Sequence, residues 1–461
     1  MLDSLVRQRL KEAPAPAEYA PAEYADAPAR DKGETRSLSH RLVDCCIVGG
    51  GPAGIVLALL LARKGLSVTL LEAHKDFDRE FRGNTINPSV MEVMGELGLA
   101  ESLLELRHAK IPRFTIQGAG SSTVFADFRR LKTRYPYVLM LPQTSFLELV
   151  AAEARRCPNF RLVMGARVKE LIREDGVIRG VRYRTTDGPR EIRATLTVGA
   201  DGRFSKVRRL AGLKPVENSP PMDVVWFNLP READDPEDAG AIFRFGAGNF
   251  LVLMDHFDHW QVGYIIRKGG YRQLRTAGLP ALRRSVAELA PELADRVGEL
   301  KDWKQGSLLS VGSDRLSRWY RPGLLLIGDA AHVTSPVGGV GINLAIQDAV
   351  AAANVLGEPL KDGRLRPRHL KAVQRRREWP TRLVQGAQVL AERWVVSGAL
   401  DAGEIFELSL FVRFVLRTPL LRDLFTRLVA FGSWPVHARA SIGDASAFSS
   451  SSLRQREAKY A

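Results

Sequence analysis

The chain has 461 residues, 45% hydrophobic and 26% charged, with a formal net charge of +15, which is ordinary for a globular protein of two or three domains. Its three cysteines, Cys45, Cys46 and Cys157, include no C-x-x-C pair, which excludes a disulfide framework and a cysteine zinc site and fits a reducing compartment. The arginines are dispersed and no nucleic-acid motif is present, so the positive charge points to anionic small molecules or an acidic lipid surface.

Residues 1–40 read as a disordered arm. Met1 to Glu12 suits a basic amphipathic helix, and PAEYA is repeated at 16–20 and 21–25 within an Ala/Pro-rich tract. No apolar core with a cleavage site marks a signal peptide.

The fold begins with VDCCIVGGGPAGIVLALLLARKGLSVTLLE, Val43 to Glu72. A buried strand, a glycine loop (Gly49, Gly51, Gly54), an apolar helix and a second strand ending in Glu72 form the unit that binds the ADP half of a dinucleotide. Glycines let the backbone approach a pyrophosphate, and the helix N-terminus opened by Pro52 and Ala53 supplies amides and a positive dipole. The uncharged stretch Cys45 to Ala62 is as long as a membrane span, but its central glycine loop and proline favour the dinucleotide unit.

Next come a polar loop with Arg82, then Asn87 as a helix cap, Pro88 at the first helical position and a helix Ser89 to Leu97 closed by Gly98. Phe114 to Phe125 alternates as strands of a second domain, and Gln143 precedes a helix over Phe146 to Arg156. Arg161 to Arg173 and Gly176 to Thr185 suit a hairpin, and Thr195 to Gly199 is a strand ending in Ala200-Asp201-Gly202. From Pro215 to about Trp303, Val224–Leu229, Ala241–Phe245, Phe250–Met254 and Trp260–Ile266 predict a mostly antiparallel sheet, covered by a helix from Pro280 that breaks at Pro291. Leu324 to Ile327 returns to a parallel sheet, and Gly341 to Val355 is a helix. The arginine-rich remainder is helical, interrupted at Pro380 and Pro419.

Two further segments join the opening motif: Gly199-Ala-Asp-Gly-Arg-Phe-Ser-Lys-Val-Arg, and Gly328-Asp-Ala-Ala-His continuing through Pro336-Val-Gly-Gly-Val-Gly-Ile-Asn343. With these in order and a β-rich insertion between them, residues 44–356 resemble the FAD-dependent aromatic hydroxylases, the para-hydroxybenzoate hydroxylase and ubiquinone-pathway hydroxylase type. The resemblance implies an α/β fold: a glutathione-reductase-like, Rossmann-type FAD-binding domain with an inserted β-sheet substrate domain and a C-terminal helical segment. The expected boundaries are FAD-binding parts at 41–113, 137–214 and 305–365, substrate-domain parts at 114–136 and 215–304, and a helical region at 366–461.

By the same resemblance, Gly49, Gly51, Gly54 and Glu72 would hold the ADP moiety. Arg82 would lie near the pyrophosphate, and Gln143 would contact the chain linking flavin to phosphate. Asp201 would organise the site through its hydrogen bonds, although in isolation those residues favour a plain turn with Ser205 capping the next helix. In the Gly328-Asp329 pair, Asp329 would accept hydrogen bonds from the ribityl hydroxyls. Pro336, Gly338 and Gly339, with Gly341, Ile342 and Asn343, would lie beside the isoalloxazine and offer it backbone N–H groups. His332 is expected to be structural. Asp255-His256-Phe257-Asp258-His259 reads as a solvated hairpin tip, and no metal is expected.

The implied reaction is a monooxygenation. NADH or NADPH reduces FAD transiently, O₂ gives a C4a-hydroperoxyflavin, and one oxygen passes to an aromatic, polyketide or other apolar substrate. Pocket candidates are Trp226, Phe243, Arg244, Phe245, Phe250 and Tyr264; no catalytic residue is assigned, and Arg244 meets either a substrate carboxylate or water. The family's phenol-deprotonating tyrosine pair has no match, so phenol, polyketide, quinone precursor and olefin all stay open. The rival enzyme is a reductase of the geranylgeranyl reductase type, and the non-enzyme alternative a flavin-binding membrane-docking or redox partner protein. A cytoplasmic enzyme is expected. The C-terminal Leu/Phe stripe with Arg413, Arg417, Arg422 and Arg427 either packs on the body or touches an anionic membrane, and oligomeric state is open.

Overall fold

The computed structural model describes residues 42–78, 85–118, 121–236, 239–246, 248–401 and 418–438. The expected arm at 1–40, Arg82, Arg413 and Arg417 lie outside the described residues.

A parallel sheet forms around Val43–Val48, with Val68–Leu71 and Phe160–Val163 on one side and Gly188–Gly199 and Leu324–Leu326 on the other. The chain leaves Val48 through the glycine loop into the helix Pro52–Arg63, whose residues Ala53 through Ala62 are all buried. A helix apolar all round is stable only inside a core. One side of it lies against the long helix Gly341–Lys361, the other against Gln143–Arg155. Full burial of each leucine is worth about 1.5–3 kcal/mol, so this helix anchors the sheet face on which the loop rests. Cys45 and Cys46 are fully buried in the first strand, where burial pushes the Cys46 thiol up to about 12.

The second sheet is seven-stranded. Met222–Pro230, His259–Arg267, Phe250–Asp255 and Ala241–Phe245 form its antiparallel centre, flanked by Ser307–Leu309 and by Arg113–Gly118 with Ser121–Asp127. Because side chains alternate along a strand, its two faces carry different cores. Val225, Phe227, Leu251, Val262 and Tyr264 pack under the helix Leu279–Leu289, ended before Pro291 as expected. Val224, Phe245, Phe250 and Ile265 face the other way, toward Val337, Val396, Ala399 and Leu400.

Several elements differ from the sequence reading. Phe160–Val163 is a parallel edge strand, and the hairpin is Arg167–Glu174 with Val177–Thr185, the chain turning at Gly165. The strand ending at Gly199 starts at Gly188, since its first half pairs with that hairpin and its second half with Val43–Val48. Asn87 precedes the helix Pro88–Glu96 without capping it, because its side-chain amide donates to Val429 O at 2.7 Å. Pro380 does not interrupt the helix Pro367–Ala391; buried on a helix held at both ends, it is absorbed at the cost of one backbone bond. The helix Pro419–Phe431 buries Thr426 and Ala430 and leaves Leu420, Leu421, Leu424 and Phe425 exposed. Among the described residues no helix is long and apolar enough to cross a membrane.

Candidate active site

The sequence motifs meet at the C-terminal ends of the parallel strands. Gly49 has φ 107°, and a Cβ there would lie 2.3 Å from the Ala200 carbonyl oxygen, so only glycine lets the loop rest on the Ala200-Asp201 segment. A Cβ on Gly54 would lie 1.9 Å from Gly49 O, which fixes the helix to its own loop. A Cβ on Gly51, in contrast, would meet nothing within 4 Å. Gly51 borders open space at a helix N-terminus that carries no side-chain cap and no acid in its first turn. Free amides around such a space fit an anionic pyrophosphate.

Glu72 is buried beside this loop. Its Oε2 accepts from Gly50 N at 2.7 Å, and Oε1 from the amide and Nδ1 of His74 at 2.9 and 2.7 Å. The carboxylate thus ties the loop to the end of the second strand. Gln143 is the first residue of the helix Gln143–Arg155 and is half-buried. Asp201 accepts from Ser205 Oγ at 2.5 Å and Val207 N at 2.9 Å, while Ser205 caps the next helix through Arg208 N. Burial raises the Asp201 pKa against those bonds. The turn with its Ser205 cap is present, and Gly49 rests on it.

Gly328 and Asp329 open a 3-10 turn between the two buried helices. A Cβ on Gly328 would touch Ala345 at 3.2 Å and Ala53 at 3.3 Å, so the turn is wedged between both N-terminal segments. Beneath it lies a network the sequence reading missed. Asp348 Oδ2 accepts from Gly328 N at 3.0 Å and meets His332 Nε2 at 2.6 Å, and Oδ1 accepts from Arg377 Nε at 2.8 Å. Burial pushes the Asp348 carboxyl up, but His332 and Arg377 outweigh it and hold it below the usual range. His332, 2% exposed, is buried within this network.

The loop Pro336 to Val340 is half-exposed and leads into the uncapped N-terminus of Gly341–Lys361. Gly339 N closes a turn on Pro336 O at 2.9 Å. Gly339 O accepts from Thr85 Oγ1 and Asn343 Nδ2, and Asn343 Oδ1 accepts from Asn87 N at 2.8 Å. The Asn343 side chain is thus engaged as a brace, with Gly338, Gly341 and Ile342 left along the loop's open side. From behind, Gln388 Nε2 donates to Ser335 O and Val337 O at 2.8 Å each, and Gln385 Nε2 to Val333 O and Asp314 O at 2.9 Å. The sequence signal was the spacing 385, 388, 392 on one helix face, which becomes informative only once the partner loop is known.

Of the pocket candidates, Trp226, Phe243, Phe245 and Phe250 lie on the sheet face toward Val337. Tyr264 does not: it faces the helix Leu279–Leu289, its hydroxyl 2.9 Å from Ser285 Oγ. Arg244 is corrected likewise. One residue out of step with Phe243 and Phe245, it points to the helix side and binds Gln117, Leu289 O and Glu292. Asp255, read as a solvated turn, is buried in an ion pair with Arg231. His256, Asp258 and His259 place ligand atoms within 4.8 Å of one another, a spacing that could hold a cation, with the two rings stacked at 4.3 Å and 17°.

Residues 42–387 match the FAD binding domain family. The chain is 37% identical over 403 residues to 6-methylpretetramide 4-monooxygenase of Streptomyces rimosus, covering 87% of this chain and 94% of that protein. It is 29% identical to digeranylgeranylglycerophospholipid reductase 2 of Methanothermobacter thermautotrophicus, over 72% of this chain and 82% of the reductase. Among solved structures, PqsL of P. aeruginosa in complex with 2-aminobenzoylacetate superposes with a TM-score of 0.68 at 21% identity, covering 78% of this chain and 97% of that one.

Proposed function

The chain belongs to the FAD-binding family of flavin-dependent monooxygenases, and from that premise we propose that it hydroxylates an aromatic polyketide of the 6-methylpretetramide kind, taking electrons from NADH or NADPH. The observation that carries this reading is the convergence of two uncapped helix N-termini, at Gly51–Ala53 and Val340–Ile342, on the Gly328–Ala330 turn. A dinucleotide with two phosphates and an electron-accepting ring matches that arrangement of amides.

When bound, FAD supplies the electron transfer to O₂ and the oxygen transfer. The chain's residues do the rest. Gly49, Gly51, Pro52, Ala53 and Gly54 would hold the pyrophosphate, and Glu72, which ties the loop through Gly50 N, would offer oxygen to a ribose. Gln143 and Asp329 engage the chain between phosphate and ring. The loop from Pro336 to Ile342 would lie beside the ring, and the sheet face of Trp226, Phe243, Phe245 and Phe250 would shield it from water. The cofactor half is then 41–113, 137–214 and 305–365 and the substrate half 114–136 and 215–304, with Ser307–Leu309 crossing that boundary to join the seven-stranded sheet.

Under labelled dioxygen with NADPH or NADH, the FAD-loaded protein is expected to place one labelled oxygen in 6-methylpretetramide, read by mass spectrometry. Product oxygen drawn from water would reject monooxygenation, and turnover without O₂ that adds hydrogen and no oxygen would favour the reductase. Acid precipitation should release the flavin, since no histidine or cysteine sits at the loop. Peripheral membrane contact is a secondary reading, supported by the exposed Leu420, Leu421, Leu424 and Phe425 beside Arg427. Sedimentation with phosphatidylserine liposomes that is lost in salt would bear on it.

A further inference from the structure

The helix Pro367–Ala391 passes into a π-helical turn, Glu392–Val396, before the α-helix resumes at Ser397–Asp401. Such turns recur at functional sites because the inserted residue re-aims the side chains around it. Before the turn, Gln385 and Gln388 hold the carbonyls of Val333, Ser335 and Val337. After it, Val396, Ala399 and Leu400 pack with Phe245, Phe250 and Val337 on the open face of the sheet. Glu392 sits at the junction of these two stretches.

Its side chain is out of place on ordinary grounds. Glu392 is 3% exposed, and Oε1 has no hydrogen-bond partner among the described residues. The Ser335 hydroxyl bonds its side chain, and Ser335 Oγ in turn accepts from Val337 N at 3.4 Å. Burial raises the carboxyl's pKa and the Ser335 bond opposes this; no charged side chain of the loop, the sheet or the neighbouring helices acts on it among the described residues, and Arg393 beside it is exposed. A carboxyl buried without a full set of partners is rare and needs an explanation.

We propose that Glu392, in its protonated form, donates a hydrogen bond from Oε1 to a keto or phenolic oxygen of the polyketide lying between the 335–339 loop and the apolar sheet face. The inference rests on the polyketide reading above and adds to it a recognition element. An apolar wall of phenylalanines holds a flat ring system without fixing its orientation; one buried O–H at the edge of that wall does, since the wrong edge leaves the donor unpaired. A neutral acid also suits this position better than a carboxylate, which would repel an electron-rich substrate oxygen.

The test uses the FAD-loaded full chain, 6-methylpretetramide as probe and the perturbation of flavin absorbance as readout. Wild-type affinity should fall as pH rises through the Glu392 titration. Glu392→Gln keeps a donor and should bind within about threefold of wild type with the pH dependence gone, whereas Glu392→Leu should bind roughly tenfold more weakly. The infrared difference between wild type and Glu392→Gln should contain the C=O band of a protonated carboxyl that shifts when the probe binds. Unchanged affinity in the Leu variant, pH dependence persisting in the Gln variant, or an absent or unshifted band would each overturn the proposal. Should the Leu variant lose FAD, the Gln variant and the band still decide. Failure of the wild type itself to bind the probe would reject the polyketide reading and this inference with it.

Discussion

The two faces of the seven-stranded sheet are closed in different ways. The face under Leu279–Leu289 is closed locally, and its polar groups are paired. Tyr264 meets Ser285, Arg244 meets Glu292, and Asp235 accepts from both Arg296 and Trp260. The opposite face is closed by pieces distant in sequence, Val337 and the stretch Val396 to Leu400, and at its rim Gln388 Oε1 and Glu392 Oε1 have no partner among the described residues. Full pairing is what a scaffold needs, because an unpaired buried polar group costs about 1–3 kcal/mol. Its incompleteness on one face only is what sets a binding surface apart from a core.

The largest expected effect falls beneath the Gly328 turn. Arg377 is fully buried on the helix that bears Gln385 and Gln388, and it neutralises Asp348 beneath the Gly328 turn. Arg377→Met keeps the stem and leaves a buried carboxylate less compensated, so chemical denaturation at neutral pH should show a loss of about 3–5 kcal/mol. Asp348 has a depressed pKa in the folded protein, so its contribution is present above the ordinary carboxylate range and is lost as pH falls through the folded value. The gap between variant and wild type should therefore narrow in acid. A gap constant with pH would mean that Arg377 acts by packing alone.

The next effect separates cofactor from scaffold. Asp329→Ala should weaken FAD binding by about 1.5–3 kcal/mol, seen by equilibrium dialysis. Asp255→Ala should cost about 2 kcal/mol of stability through the stranded Arg231 while FAD affinity holds. Equal FAD affinity in the two variants would remove Asp329 from the site.

How much of this was legible in the sequence follows the same division. The glycine motifs were readable because they encode backbone constraints: Gly49 and Gly54 admit no side chain, whatever surrounds them. Gly328 and Asp329 were readable as a strand end for the same reason. Arg244 and Tyr264 were misplaced because alternation gives parity without saying which parity faces the flavin. That choice depends on the helix Leu279–Leu289 and on Val337, elements far along the chain. Gln388 and Glu392 were invisible because their partners, Ser335 and Val337, lie some fifty residues earlier. Nothing local distinguishes a polar residue facing water from one facing a loop.

The smallest effect is the sharpest test of the two-face division. Tyr264 lies between Val225 and Leu251 partners in register on a central strand, buried beneath Leu279–Leu289, with its hydroxyl shared by Ser285 Oγ at 2.9 Å and Asn249 Nδ2 at 3.3 Å. Tyr264→Phe removes that hydroxyl without changing the ring. Ser285 and Asn249 still bond each other at 2.9 Å, so the pair is not stranded and the loss should be only about 1 kcal/mol. Because the ring points away from Phe245 and Phe250, neither probe affinity nor turnover should change. Phe250→Leu, of similar cost to the fold, should change both, since it alters the wall against which a flat substrate lies. If Tyr264→Phe shifts turnover and Phe250→Leu does not, the substrate lies on the helix side, and the assignment of the open face is wrong.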